Sequence, residues 1–242
     1  MKINIPWQEK PENFKGPIWR YTNNPIIDRN TNDELTRVFN SSVVIFNGEY
    51  VGVFRAEAAD NVPYIFLGRS KDGINFDIEE EPIKLVYEDG EPDDSQYQYD
   101  PRLIKAGDTY YIVYCDDLDN EASISIAYTK DFKTFTKMRH PFPPNSRNGM
   151  LFPEQVDGYW MMLYRTVGAH DGNIYYAKSK DLHYWGDYRV FMKTTKFGWG
   201  KFKIGAGCCP IKTKGCPCCQ FGIGGDELEY WQIHNIHQTF LQ

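Results

Sequence analysis

The chain lacks any run of about 18 consecutive apolar residues, the length that a membrane-spanning helix requires. Its opening residues, Met1 to Pro6, lead into charge rather than into the apolar core of a signal peptide. A cytoplasmic protein without a membrane partner is expected. Excess positive charge is lacking too: 27 Lys and Arg stand against 33 Asp and Glu, a formal net charge of −6, so a phosphate backbone would have to dock against the average field. Nucleic acid is not expected as a partner. Long helices are missing, since no segment keeps apolar residues at helical spacing for three turns. Up to residue 207 the only cysteine is Cys115, and without a signal peptide a disulfide framework is not expected.

What the sequence does have is aromatic residues and a repeat. Of its 242 residues 16% are aromatic, a bias that suits strands, where flat rings pack well. Asn47-Gly48-Glu49-Tyr50, Ala106-Gly107-Asp108-Thr109-Tyr110 and Asp157-Gly158-Tyr159-Trp160 each join one alternating apolar run to another, as a tight hairpin turn does. An aromatic strand follows each turn, over residues 50–55, 110–115 and 159–165. A third strand then closes on a shared phrase, beginning Ser70-Lys71-Asp72, Thr129-Lys130-Asp131 and Ser179-Lys180-Asp181. The phrase starts 22, 22 and 21 residues after the turn glycine. Repeats of roughly 50 residues with three or four antiparallel strands mark β-propeller blades; a β-sandwich, whose strands also recur at short spacing, is the alternative. The Ser/Thr-Lys-Asp phrase recurs in every blade and is therefore expected to be a structural turn without catalytic function.

Lys203-Ile204-Gly205-Ala206-Gly207 reads as the innermost strand of a fourth blade. After Gly215 the aromatic alternation stops, which sets a boundary between a partial propeller domain, residues 1–215, and a tail, residues 216–242. Cys208, Cys209, Cys216, Cys218 and Cys219 crowd this region, with His234 and His237 beyond them. Their spacing matches no standard zinc knuckle. The tail reads either as a replaced terminus, produced by a reading-frame error or a truncation, or as an appended metal-binding cluster.

The first strand of each propeller blade lines the axis. Those positions hold Phe39-Asn40-Ser41-Ser42, Tyr97-Gln98-Tyr99-Asp100-Pro101-Arg102, Arg147-Asn148-Gly149 and Lys203. Arg55 and Arg165 end the second strands of their repeats. The set amounts to one carboxylate, Asp100, facing Arg55, Arg147, Arg165 and Lys203. Inverting hydrolysis of a glycoside needs a second carboxylate to activate water. Phosphorolysis needs only the acid and a cationic seat for an anion that is already a nucleophile, and Arg forks suit phosphate oxygens. Trp19, Tyr97, Tyr99, Trp160 and Trp199 are candidates to stack on sugar faces.

The ordered set Gly16-Pro17-Ile18-Trp19-Arg20, Asn24-Pro25-Ile26-Ile27, Phe39-Asn40-Ser41, Gly52-Val53-Phe54-Arg55, Tyr99-Asp100-Pro101-Arg102, Arg147-Asn148-Gly149-Met150-Leu151-Phe152-Pro153 and Lys203-Ile204-Gly205-Ala206-Gly207 resembles the inverting β-mannoside phosphorylases of glycoside hydrolase family 130. The resemblance implies an all-β, five-bladed propeller, here incomplete, with three blades and the start of a fourth. It implies Asp100 as the catalytic acid, acting through the 3-hydroxyl of the mannose. Asn40, Ser41 and Arg55 would hold that mannose, with Tyr99 beside them, and Arg147, Arg165 and Lys203 would bind phosphate. The implied partners are a β-mannoside and inorganic phosphate as co-substrate, with no metal or organic cofactor, and a homo-oligomer is common in the family. The family's later histidine and carboxylate motifs have no counterpart after Gly215. An inactive, mannoside-binding propeller and an inverting hydrolase are the alternatives.

Overall fold

The computed structural model describes residues 8–16, 19–31, 34–118, 121–139, 141–166, 172–197, 201–213, 221–222 and 230–232. The chain divides into two compact units, Met1–Ile83 and Lys84–Gln242. All regular structure among the described residues is β.

The first unit is one antiparallel meander. Strands β1 (Arg37–Phe46), β2 (Glu49–Glu57), β3 (Pro63–Ser70) and β4 (Asp77–Pro82) lie side by side in chain order. Asn47 and Gly48 make the first turn, both at positive φ (49° and 86°). That pair of left-handed residues matches the twist of the flanking strands. Leu35, Phe54, Ala56, Phe66 and Ile78 form the buried core of this blade.

The second unit carries two further meanders. In one, β6 (Gln98–Ala106), β7 (Thr109–Leu118), β8 (Glu121–Thr129) and β9 (Phe135–Lys137) run in order, and β5 (Leu85–Tyr87) adds a parallel strand outside β9. In the other, β10 (Ser146–Leu151), β11 (Trp160–Thr166), β12 (Ile174–Ser179) and β13 (Trp185–Met192) repeat the pattern. Gly107 (φ 60°) and the pair Asp157-Gly158 (51° and 72°) form the corresponding turns. A last small sheet joins β14 (Ile211–Thr213), β15 (Phe221–Gly222) and β16 (Tyr230–Gln232) in the order β14-β16-β15.

The recurrent Ser/Thr-Lys-Asp phrase is a side-chain-capped turn in each of the three blades. The hydroxyl oxygens of Ser70, Thr129 and Ser179 accept backbone N–H bonds from two and three residues on. The carboxylates of Asp72, Asp131 and Asp181 accept the next pair. Those backbone donors, above all the one three residues on, hold all three carboxyls below the usual aspartate range. The phrase is therefore occupied with closing the blade.

Within the second unit the two blades share an apolar layer that includes Ile104, Val113, Ile124, Leu151, Met162 and Trp185. Gly149, on β10, lies against it: a Cβ there would stand 2.7 Å from Val113 Cγ1 and 2.9 Å from Ile124 Cγ2. Both neighbours are fully buried, so neither has room to retreat. Gly149→Ala is expected to cost about 1–3 kcal/mol of stability by overpacking, read as a lower urea midpoint at unchanged slope. A loss within about 0.5 kcal/mol, the range of an ordinary surface change, would show slack between the blades.

One expectation needs correction. Residues 203–207 are not a ladder strand among the described residues. Ile204 N–H donates to the Gly172 carbonyl at 2.9 Å, while Arg102 takes the carbonyls of Ala206 and Gly207 at 2.8 and 2.7 Å. The guanidinium satisfies backbone acceptors that a neighbouring strand would otherwise have to reach, so the segment is fixed without a β ladder. Ile204 and Ala206 instead bury against Met150, Phe152 and Leu163.

Candidate active site

The first strands of the three blades break register at the same point. The ladder shifts between Phe39 and Ser41 in β1, between Tyr99 and Arg102 in β6, and between Arg147 and Met150 in β10. Each break contains a residue at positive φ: Asn40 (50°), Asp100 (55°) and Asn148 (56°). Asn and Asp enter the left-handed region more readily than other side-chain-bearing residues because their short polar groups bond locally. A bulge of this kind bends the strand and re-aims a side chain. Just before each bulge, Phe39 pairs with Arg55, Tyr99 with Cys115, and Arg147 with Arg165. Asp100 is thus the blade equivalent of Asn40 and Asn148, and Cys115 is the equivalent of the two arginines. The sequence alone assigns no site role to Asn148 or Cys115; superposing Phe-Asn-Ser, Tyr-Asp-Pro and Arg-Asn-Gly marks the first.

In the first unit Asn40 and Ser41 are exposed, and Ser41 lines a cavity of about 950 Å³ with Arg20, Asn24 and Phe39. Arg55 is held rather than loose. Its Nη2 donates to Glu57 Oε1 at 2.7 Å, and its guanidinium lies 4.2 Å over the Phe39 ring. Glu57 is buried and also meets Arg37 at 3.4 Å.

In the second unit the structure brings Tyr99, Asp100, Arg147 and Arg165 together. Arg147 and Arg165 face each other across the β10–β11 ladder, where like charges repel. Neither has an ion-pair partner among the described residues, and Arg165 is only 8% exposed. Burial first, and then the Arg147 charge, lower the pKa of the Arg165 guanidinium. Arg147 Nε is buried with no hydrogen-bond partner, and its guanidinium lies 5.8 Å from the Tyr99 ring. The charges acting most strongly on Arg165 include a single carboxylate, that of Asp100. A buried arginine beside a partly exposed one, with no ion-pair partner among the described residues, is an arrangement that can seat an anion.

The surroundings of this seat are tied down by backbone. Arg102 joins the Asp100 carbonyl, at 3.0 Å, to the 206–207 segment, and Arg165 Nη1 reaches the Ile204 carbonyl at 3.4 Å. Lys203, partly exposed, precedes that segment. Burial pushes the Cys115 thiol up to about 11, against a backbone bond from Asn148 that pulls the other way. Cys115 is therefore a neutral filler between two bulges. Burial also raises the Tyr99 phenol.

Of the other stacking candidates, Trp160 packs on Tyr111 at 6.0 Å, Trp19 meets Phe14 edge-on at 5.2 Å, and Tyr97 tilts against Tyr99 at 5.8 Å. Trp199 lies outside the described residues, as do Cys216, Cys218, Cys219, His234 and His237 of the proposed metal cluster. Cys208 is exposed and Cys209 is half-buried.

Three such blades, with one carboxylate beside two arginines that have no ion-pair partner among the described residues, define a protein of the β-propeller class. The sequence profile of glycoside hydrolase family 130, described as beta-1,4-mannooligosaccharide phosphorylase, matches residues 2–232, and the chain belongs to that family of mannoside phosphorylases. It is 38% identical over 232 residues to the beta-1,4-mannooligosaccharide phosphorylase of Ruminococcus albus, covering 91% of this chain and 68% of that protein. It is 27% identical to the beta-1,2-mannobiose phosphorylase of Listeria innocua, covering 86% of this chain and 58% of that protein. Among solved structures, the Listeria innocua beta-1,2-mannobiose phosphorylase in complex with beta-1,2-mannobiose superposes with a TM-score of 0.70 at 22% identity, over 81% of this chain and 72% of that one. A second superposes at 0.62 and 19% identity, over 73% of this chain and 57% of that one. Its title states that the family contains glycoside hydrolases that target beta-1,2 mannosidic linkages in Candida mannan. The structural likeness shows the fold, that of five-bladed propellers, of which this chain carries about three blades.

Proposed function

We propose that the protein cleaves a β-1,4-mannosidic bond with inorganic phosphate and inversion at C1, giving α-mannose 1-phosphate and a shortened acceptor sugar. The observation that carries this reading is the Arg147–Arg165 pair, one buried and one partly exposed, the two facing each other across one ladder and lacking an ion-pair partner among the described residues. A phosphate dianion neutralises that pair and supplies the nucleophile, so no second carboxylate is needed to activate water. Lys203 adds a point charge. In the reaction, a phosphate oxygen attacks C1 from the face opposite the leaving group, and the C1–O bond to the acceptor breaks. The Asp100 proton passes to the leaving oxygen by way of the mannose 3-hydroxyl. Asn40, Ser41, Arg55 and Tyr99 are assigned to the mannose. The reaction is placed in the cytoplasm and uses no metal or organic cofactor.

The 1,4 linkage is supported by the higher identity to the Ruminococcus albus relative than to the relatives named for 1,2 linkages. The test is incubation of the purified chain with β-1,4-mannobiose at graded phosphate concentrations. Mannose 1-phosphate is expected in proportion to acceptor released, with no cleavage when phosphate is omitted. Equal release of free mannose in phosphate-free buffer would overturn the reading in favour of a hydrolase. Saturable mannoside binding without turnover at any phosphate concentration would make the chain a binding protein.

A further inference from the structure

A second charged cluster lies in the same blade as Asp100, and the reaction proposed above gives it no role. Lys137, the last residue of β9, is fully buried. Its ammonium donates to Asp93 Oδ1 at 2.7 Å, Ser95 Oγ at 2.7 Å and Asp116 Oδ2 at 2.5 Å. Three protons meet three acceptors, the full capacity of an ammonium. Ser125 on β8 donates to the other oxygen of Asp116 at 2.8 Å, and Gln98 on β6 donates to Asp93 Oδ2 at 2.8 Å. The network therefore crosses the blade from β9 to β6, its inner strand.

Its placement follows from the chain path. β5 pairs with β9 at the outer edge of this sheet and β6 forms the inner edge, so residues 88–97 must travel from one edge to the other. Asp93 and Ser95 pin that connection to Lys137, and the Gln96 N–H adds a bond to Asp117 Oδ1 at 2.9 Å. The connection ends at Gln98, which pairs with Asp116 in the ladder, then at Tyr99, and then at the Asp100 bulge. A bulged residue has lost its ladder partners, so the orientation of its side chain depends on how the chain enters the bulge.

We propose that the Lys137–Asp93–Asp116 cluster, with Ser95 and Gln98, is a positioning device that sets the entry of the chain into the Asp100 bulge and so aims the Asp100 carboxyl. Its members are positioning residues that act through the backbone. The proposal rests on the assignment of Asp100 as the acid, and its test separates the two. Ser95→Ala removes one tie of the connection and leaves the three charges in place; Ser95→Thr keeps the hydroxyl. Two measurements need no turnover: amide exchange at Gln98, Tyr99, Asp100 and Arg102, and NMR titration of the Asp100 side-chain carboxyl. A third is phosphorolysis of β-1,4-mannobiose. In a folded Ser95→Ala protein, exchange at those four amides is expected to quicken at least tenfold and the Asp100 titration midpoint to move, while Ser95→Thr restores both. The kcat should fall about tenfold with KM for phosphate within twofold. Unchanged exchange and an unchanged Asp100 titration in Ser95→Ala would overturn the proposal. A wild-type chain that makes no mannose 1-phosphate would instead overturn the phosphorylase reading, and the two NMR measurements would still decide the positioning role.

Discussion

Asp100→Asn is expected to lower kcat by about 10²–10⁴-fold, the contribution of a positioned general acid, and to leave the fold intact. The second half of that expectation comes from the backbone. Asp100 sits at φ 55°, a region that asparagine enters as readily as aspartate, and the equivalent positions of the other two blades already hold Asn40 and Asn148 at φ 50° and 56°. The carboxamide keeps the size and loses only the transferable proton. Binding of phosphate to the arginine pair should be retained or tightened, because the one carboxylate among the charges that act most strongly on Arg165 is gone. Steady-state kinetics on β-1,4-mannobiose, with calorimetric titration of inorganic phosphate, checks both halves. A variant that keeps wild-type kcat would remove Asp100 from the acid role. Asp100→Ala is the poorer test, since alanine has no side-chain oxygen with which to support the left-handed conformation.

The legible part of this molecule is the part written in local chemistry. Turn glycines and asparagines require positive φ, and the alternation of aromatic with polar residues requires strands, so the three hairpins and the blade repeat can be read before any coordinate is known. The site is half legible for the same reason. Asn40, Asp100 and Asn148 stand at repeat-equivalent places, as do Phe39, Tyr99 and Arg147 before them, and repetition is visible in a sequence. What is hidden is everything that depends on how strands face each other. That Cys115 occupies the place of Arg55 and Arg165 follows only from the pairing of Tyr99 with Cys115. That Arg102 fixes residues 206–207 is a contact across more than 100 positions of chain. Lys203-Ile204-Gly205-Ala206-Gly207 looks like a strand because small and apolar residues fill it, yet its carbonyls belong to side chains. Lys137 gives no sign at all: a lysine after Phe135-Thr136 reads as a solvated strand end, and only the fold shows it buried between two carboxylates.

That buried lysine leads to the largest stability effect expected in the chain. Lys137→Met should cost about 3–5 kcal/mol, because removing one member of a buried ion cluster leaves its partners as uncompensated charge. Against a total stability of about 5–15 kcal/mol, such a loss brings the second unit close to unfolding at room temperature. The direction of titration supports the point. Burial alone would lower the Lys137 ammonium, but Asp116 and Asp93 outweigh it and hold it above the ordinary lysine value. Burial would raise Asp93, but the bonds from Lys137 and Ser95 outweigh that and hold it below the ordinary carboxylate value. A raised lysine contributes stability that is complete below its unfolded pKa and fades as pH rises through the folded one; a depressed aspartate contributes above its unfolded pKa and fades as pH falls. The cluster thus stabilises most across the neutral range, between those limits. Adding Asp93→Asn and Asp116→Asn to Lys137→Met should return part of the loss, since the triple variant buries no net charge. Urea unfolding of the three proteins, wild type, single and triple, is the measurement. A triple variant less stable than the single one would mean that the hydrogen bonds of Asp93 and Asp116 to Ser95, Gln98 and Ser125 contribute more than the charge that Lys137 neutralises.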